Sequence, residues 1–317
     1  MTETALPAPT KAKRRPIWSR LRDNPVVLKE LRSRMRGNRA FIILTVYVGL
    51  ISALVALVYI SFVSSNDIGF SPDTRQIMGK TIFGLVVLAQ LGMISFVTPG
   101  LTAGAISSER ERQTLDLLRT TLLPGRSLVR GKLQSALVYL FLLLFAALPL
   151  QSIAFLFGGV ELAELVISTF MLVVTTIAFC CAGLFFSSIV KRTLPSTVLA
   201  YAFSNMLLFG LPFMVLTLMT MLIPIIEQAV FSGSNEIAEL FFLVIAWLLV
   251  SVNPFLAAIV SEVFLIDQGD LFFSVQSVGP FSNFPVPSPW IIYCIIFLVV
   301  SFILYQISVG MVTRKEV

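Results

Sequence analysis

Six long apolar segments constrain this chain more strongly than any other feature of its sequence. A helix that crosses the hydrocarbon of a bilayer needs about 20 mostly apolar residues, and each segment reaches that length. They cover about residues 40–63, 81–105, 133–157, 164–189, 196–226 and 289–312. Only 13% of the residues are charged, against roughly a quarter in soluble domains. We therefore predict an all-α integral membrane protein with six transmembrane helices.

A seventh apolar stretch, at about 239–266, differs from the other six because Asn253 and Pro254 interrupt it near the middle. Proline lacks a backbone N–H and moves the residue before it out of helical geometry. Two half-length helices that meet at this break would enter and leave the bilayer on the same side. We therefore predict a re-entrant hairpin at this position, before the last span.

The basic residues decide between six and seven spans. With six spans and a hairpin, 21 of the 23 lysines and arginines fall on the side of the N-terminal arm, and only Arg75 and Lys80 fall on the other. A seventh span would move Arg314 and Lys315 across the membrane and weaken this asymmetry. Because cytoplasmic loops carry the excess of basic residues, we predict six spans with both termini in the cytoplasm.

The segment before the first span, residues 24–37, has the pattern of a basic amphipathic helix. Pro25 suits its first helical position and Gly37 its end. Apolar residues recur at helical spacing on one face, and basic residues occupy the other. The predicted members of this elbow helix are Lys29, Leu31, Arg32, Arg34, Met35 and Arg36. Such a helix would lie in the interface, with its cations among anionic lipid headgroups.

The loop between the second and third spans also predicts a short helix. Ser108 and Glu111 have the S-x-x-E spacing of a capping box, in which each side chain satisfies a free backbone N–H. Leu115 and Leu118 then share one face, and Pro124 ends the segment. A charged turn beside an apolar anchor is typical of a contact surface. The alternative is that this helix packs only against its own chain.

The rest of the chain is simple in organisation. Residues 1–23 are predicted to be a disordered basic tail, and residues 24–317 to form a single transmembrane domain. The segment 267–288 is rich in Phe, Ser, Pro and Gly and is predicted to be an irregular loop.

Four stretches of the sequence follow the order and spacing of a known family. They are NPVVLKELRSRMRG at 24–37, ISSERERQTLDLLRTT at 106–121 with SLVRGKL after it, AGLFFSSIVKRTLPSTVLAYAF at 182–203, and NPFLAAI at 253–259. On these stretches the chain resembles the ABC-2 type permeases, which are the membrane subunits of many bacterial ABC exporters.

The resemblance implies a permease subunit in the bacterial cytoplasmic membrane that forms a homodimer or heterodimer around a substrate path. Cytoplasmic P-loop ATPase subunits would drive it. The elbow helix would be 24–37, the coupling helix about 108–121, and the hairpin would lie on the outer side. The residues implied in ATPase coupling are Ser108, Glu109, Arg110, Glu111, Arg112, Thr114, Leu115 and Leu118. ATP would be bound by the partner, because this chain has no G-x-x-x-x-G-K-[ST] loop.

Several kinds of chemistry are disfavoured by what the sequence lacks. It has no histidine, which removes imidazole bases, histidine-ligated metals and Ser-His or Cys-His nucleophile pairs. Cys180, Cys181 and Cys294 lie inside apolar segments, as small packing residues do. We therefore predict no enzyme activity, metal or cofactor in this chain. The basic residues follow membrane topology, so no nucleic-acid partner is predicted either.

Two other functions remain as alternatives at this stage: an ion-coupled carrier or channel, and a membrane-embedded enzyme. Both usually need ionisable groups within the spans, whereas the Asp and Glu residues lie at span ends or in loops. The polar residues inside the spans are Gln90, Gln151, Ser204, Asn205 and Gln306, and we expect them to hydrogen bond between helices. A largely uncharged interior favours an apolar or amphiphilic substrate, whose contact residues the sequence does not identify.

Overall fold

The computed structural model describes residues 25–35, 38–65, 71–114, 125–231, 236–268, 272–278 and 281–313, which are mostly helical. The predicted N-terminal tail lies outside the described residues, as do Arg36, Leu115 and Leu118. The helices are α1 (Pro25–Met35), α2 (Asn38–Ser65), α3 (Pro72–Thr102), α4 (Ser107–Glu111), α5 (Gly125–Phe157), α6 (Leu162–Ile189), α7 (Thr193–Asn205), α8 (Leu211–Phe231), α9 (Glu236–Val252), α10 (Pro254–Gln268) and α11 (Pro289–Thr313). A π-helical turn, Met206–Gly210, joins α7 to α8, and the strands β1 (Phe273–Val278) and β2 (Phe281–Pro287) precede α11.

Six helices of the described chain are long and apolar enough to cross a membrane, as the sequence predicts. They are α2, α3, α5, α6, the continuous α7–α8 helix and α11. The helices α3 and α5 each begin about two turns before the predicted apolar segment. Polar residues continue the helix beyond the apolar part in both cases, because a helix does not have to end where hydrocarbon ends.

The helix α6 lies at the centre of this bundle. Of its most apolar part 61% is buried, against 22% in α2 and 22% in α7–α8. The helix α6 contacts α3 at Gly183, where an added Cβ would lie 1.9 Å from Oγ1 of Thr102. Only glycine allows two helices to cross this closely. The largest exposed faces of the spans therefore belong to α2 and α7–α8.

Polar side chains inside the bundle are only partly paired between helices. The Gln151 amide donates to Oε1 of Gln90 at 3.3 Å, which confirms the predicted interhelical bond for this pair. Asn205 donates instead to the backbone of its own helix, and Gln306 is exposed. Ser204 is buried. The expectation of interhelical bonding therefore holds for two of these residues, and fails for Asn205 because its nearest acceptor is one turn away in α7.

The chain turns sharply at the predicted break, where α9 and α10 are bent by 117°. The Asn253 side-chain oxygen accepts hydrogen bonds from the N–H groups of Phe255 and Leu256, at 2.8 and 2.9 Å, and so caps α10. Its amide group donates to the carbonyl of Leu207 in the π-helical turn. Pro254 occupies the first position of α10, where a missing N–H is tolerated. The bend is thus held against the middle of the α7–α8 helix.

The prediction of an irregular loop at 267–288 is wrong for most of its length. There β1 and β2 pair as an antiparallel hairpin, with Phe273 opposite Pro287 and a local irregularity further along. The indole N–H of Trp247 in α9 donates to the carbonyl of Pro287 at 2.8 Å. The many Ser and Pro residues conceal two short runs of Phe and Val, which favour strands.

The ends of several helices meet at one end of the bundle, which we call the basic end. It holds α1, α4, the starts of α2, α5 and α7, and the last turns of α3, α6 and α11. Gly125 at the start of α5 lies beside Thr313 at the end of α11, and Tyr139 donates to the carbonyl of Ala40. Most of the described basic residues lie here, whereas Arg75 and Lys80 lie at the opposite end.

Candidate functional site

The short helix α4 begins where α3 turns at the basic end. The hydroxyl of Ser187, near the end of α6, accepts hydrogen bonds from the backbone N–H groups of Ile106 and Ser107, at 2.8 and 3.0 Å. The first N–H groups of a helix have no partner within it. A side chain about 80 residues away therefore satisfies the start of α4 and fixes it to α6.

Arg110 makes a second connection between α4 and α6. Its guanidinium group donates to the backbone carbonyls of Ser188 and Val190, at 3.2 and 3.5 Å. The last carbonyls of a helix are free and carry partial negative charge, so a cation at this position stabilises the end of α6. Ser196 in α7 also donates to the carbonyl of Ala103, at 2.7 Å. The turn between α3 and α4 is therefore bonded to both neighbouring helices.

Glu111 acts on a different helix from the one the sequence predicts. Its carboxylate accepts hydrogen bonds from the N–H and the hydroxyl of Thr193, at 3.2 and 2.6 Å, and so caps the start of α7. These two hydrogen bonds lower the pKa of Glu111. The predicted capping box with Ser108 is wrong, because the N-cap of α4 is Ile106, whose own side chain makes no capping hydrogen bond. The Ser108 N–H, which the box would have satisfied, donates instead to the carbonyl of Gly104 at 3.1 Å.

Glu109 belongs to a charged cluster between three segments. The Lys132 ammonium of α5 lies 3.3 Å from Oε1 of Glu109 and 3.3 Å from Oε1 of Glu30 in α1. The Lys132 side chain is only 4% exposed. Burial opposes ionisation of the Glu109 carboxyl, but a hydrogen bond from Thr114 and the charge of Lys132 together lower its pKa. A buried cation between two carboxylates thus joins α1, α4 and α5.

The predicted elbow residues are divided between the surface and this cluster. Lys29 and Arg32 are exposed, Met35 is half exposed and Leu31 is partly buried. Arg34 does not lie on the exposed basic face. Its guanidinium donates to the carbonyl of Leu101 at 3.0 Å and approaches Glu30 at 3.9 Å, so it connects α1 to the end of α3.

The exposed part of this site is small. Arg112 follows α4 and is exposed, and Gln113 after it has a φ of 58°, which reverses the chain direction. Thr114 folds back onto Glu109, and Ser108 is partly buried. Of the predicted ATPase contacts that the structure describes, Arg112 is exposed, and the side chains bonded within the chain are Glu109, Arg110, Glu111 and Thr114. Whether any of them contacts an ATPase stays a prediction.

Among the residues that the structure describes, no group of three or more His, Cys, Asp or Glu side chains could hold a metal ion. The three cysteines are free and buried inside helices.

Three residues that organise the site were not identified from the sequence: Lys132, Ser187 and Thr193. Each acts on a segment distant along the chain, so no local pattern could find its partner. Ser187 and Thr193 lie in the stretch SSIVKRT, which is part of one of the four stretches that carry the family resemblance.

Comparison with known proteins adds no relative: no family model matches this chain, and no curated protein is similar to it.

Proposed function

We propose that this chain is the transmembrane permease subunit of an ABC-2 type ABC transporter, an exporter driven by a separate ATPase. The proposal starts from the four stretches that resemble this family. The geometry around α4 supports it independently. A subunit driven from outside needs a surface element whose displacement reaches its spans, and α4 has the connections that such an element requires.

The main support for this proposal is the number of different helices that are bonded to the single turn of α4. Ser187 and Arg110 join it to the end of α6, Glu111 joins it to the start of α7, and Glu109 joins it through Lys132 to α5 and α1. These contacts are directional hydrogen bonds and ion pairs, buried or partly buried at Ser187, Arg110 and Lys132 and exposed at Glu111. A partner that moves α4 would therefore move several spans together.

The orientation follows from the charge distribution. We place the basic end in the cytoplasm, with both termini, because 21 of the 23 basic residues fall on that side. The bent pair α9–α10 then forms a re-entrant hairpin on the outer side. The helix α1 is the elbow helix, whose exposed Lys29 and Arg32 reach anionic headgroups.

The energy source is a cytoplasmic P-loop ATPase subunit that binds ATP. A second permease subunit completes the substrate path, and the exposed faces of α2 and α7–α8 offer surface for it. The spans carry few charges, which favours an apolar or amphiphilic substrate.

The test begins with the reading frame next to the gene for this chain, which we expect to encode a P-loop ATPase. We expect this ATPase to co-purify with a tagged permease and to hydrolyse ATP faster in liposomes that contain the permease. Arg112→Glu should weaken this stimulation by roughly tenfold, the usual effect of reversing a charge at a protein interface. Arg112 is exposed, so the variant should fold normally.

Arg75→Glu is the matched control, because Arg75 is equally exposed but lies at the opposite end of the bundle. It should leave the stimulation unchanged. If both substitutions weaken the stimulation equally, α4 is not the contact with the ATPase. Gradient-driven accumulation of a substrate by the permease alone, without any ATPase, would overturn the proposed function in favour of an ion-coupled carrier.

A further inference from the structure

A cavity of about 230 Å³ lies between α3, α6 and α10, in the half of the bundle away from the basic end. Its inner wall is apolar and rigid, with Phe83, Leu91 and Leu172 each 1% exposed. Ile259 and Val263 of α10 form its rim and are 43% and 47% exposed. The cavity therefore opens to the side of the bundle, where the lipid would be.

Two polar atoms of this cavity have no hydrogen-bond partner among the residues that the structure describes. They are the hydroxyl of Ser261 and Oε1 of Glu262, and both atoms are buried. Ser261 as a whole is only 4% exposed. A buried polar atom without a partner is unfavourable by roughly 1–3 kcal/mol and is rare in native proteins. The two atoms therefore point to a missing donor in the cavity.

The Glu262 carboxyl has other charged groups near it. The Glu164 carboxylate acts on it by repulsion, and the Lys80 ammonium by a weaker attraction. Glu164 is already engaged, because it accepts a hydrogen bond from the N–H of Glu161 at the start of α6. Oε1 of Glu262 has no partner among the described residues, and a cation that entered the cavity would supply one.

We propose that this cavity binds a small hydrophobic amine, whose cationic nitrogen donates to Glu262 and Ser261 while its apolar body fills the space between α3 and α6. An apolar wall with a few convergent polar groups is the usual composition of a small-molecule site. The volume is sufficient, since an engineered cavity of roughly 150 Å³ binds benzene. The site does not depend on the ATPase, so it stands or fails separately from the proposed function.

The chain offers a variant that closes the cavity without disturbing its neighbours. Gly84 lines the cavity, and a Cβ added there would meet no atom within 4 Å. Gly84→Leu should therefore fill the space and favour the helix. Gly92 lies on the same helix, has the same free space and does not line the cavity. Gly92→Leu is thus the matched control.

The experiment measures thermal unfolding of the purified chain in lipid nanodiscs with 2-phenylethylamine, and with propylbenzene as an uncharged analogue of similar shape. At an amine concentration ten times its Kd we expect a rise in Tm on the order of 3 °C. Propylbenzene should give a much smaller rise. Gly84→Leu and Glu262→Gln should both lose the response to the amine, and Gly92→Leu should keep it.

Three results would overturn the proposal. Equal stabilisation by propylbenzene would show an apolar filler site, such as one for a lipid tail, rather than an amine site. An unchanged response in Gly84→Leu would place the amine elsewhere. If the amine still raises the Tm of Glu262→Gln by the same amount, the Glu262 carboxylate does not bind the amine. Each variant is compared with its own Tm without ligand, so a change in basal stability does not obscure the outcome.

Discussion

Replacing Lys132 by methionine tests whether the basic end is held together by its buried cation. Methionine keeps most of the side-chain length and apolar surface, so the change mainly removes the charge. The carboxylates of Glu30 and Glu109 would then face each other with side chains still only 24% and 25% exposed. Breaking a buried ion pair by removing one partner typically lowers stability by about 3–5 kcal/mol.

Partial exposure of the two carboxylates reduces this figure, because water can solvate part of each charge. We expect Lys132→Met to lower the free energy of unfolding by about 2–3 kcal/mol. Equilibrium unfolding in mixed detergent micelles measures the difference. Lys191→Met is the control, because Lys191 is exposed at the same end of the bundle, and it should change stability by less than about 0.5 kcal/mol.

A triple variant separates charge from packing. If repulsion between unmatched carboxylates is the cause, Lys132→Met combined with Glu30→Gln and Glu109→Gln should recover most of the lost stability. If the triple variant is as unstable as Lys132→Met, or if the single variant loses less than about 1 kcal/mol, the electrostatic reasoning is wrong.

The contacts of Lys132 also predict how the stability difference between wild type and Lys132→Met depends on pH. The pKa of Glu109 is lowered in the folded protein from its ordinary value of 4.5. A carboxylate with a lowered folded-state pKa stabilises the fold above pH 4.5, and this contribution is lost as the pH falls through the folded-state pKa. In Lys132→Met, protonation instead relieves repulsion. The difference in stability between wild type and Lys132→Met should therefore narrow as the pH falls below 4.5.

Further predictions concern packing, the bend and the orientation. Gly183→Ala should lower stability by about 1–3 kcal/mol, because its Cβ would overlap Oγ1 of Thr102; Thr102→Ala in the same chain should restore part of the loss in the same unfolding assay. Asn253→Leu removes a helix cap and the donor to a buried carbonyl, and should lower stability by about 2–4 kcal/mol, whereas Asn253→Asp keeps the cap oxygen and should lose less. In a cysteine-free background, Lys191→Cys should react with a membrane-impermeant thiol reagent only after cells are opened, and Arg75→Cys should react in intact cells; the reverse result would invert the orientation.

The spans were predictable because the bilayer sets their length and composition. The thickness of the hydrocarbon fixes how many apolar residues a helix needs, so a run such as 164–189 identifies α6 almost residue by residue. The break at Asn253 and Pro254 was predictable for a similar reason. Proline ends a helix through local geometry alone, and asparagine caps the next one.

The contacts of the candidate site could not be predicted, because they join distant parts of the chain. The S-x-x-E pattern at Ser108 and Glu111 is present, but the N-cap of α4 lies two residues before Ser108, so the Ser108 N–H bonds to the carbonyl of Gly104 and the Glu111 carboxylate caps α7. The burial of Lys132 likewise depends on α1 and α4 arriving beside it. In the sequence Glu262 is one acidic residue near the end of the seventh apolar stretch, and only the packing of α10 on α3 and α6 reveals its buried oxygen.

The π-helical turn at Met206–Gly210 has a consequence for how this sequence can change over evolutionary time. A π-helical turn shifts the hydrogen-bond pattern of a helix by one residue and leaves a carbonyl open to another donor. The Asn253 amide supplies that donor to the carbonyl of Leu207, which matters most inside a span, where backbone groups need partners within the protein. A deletion that restores a regular helix makes the Asn253 amide superfluous, while loss of Asn253 makes the π-helical turn unfavourable. The two sites, 46 residues apart, should therefore vary together among related sequences, with each change tolerated only in the presence of the other.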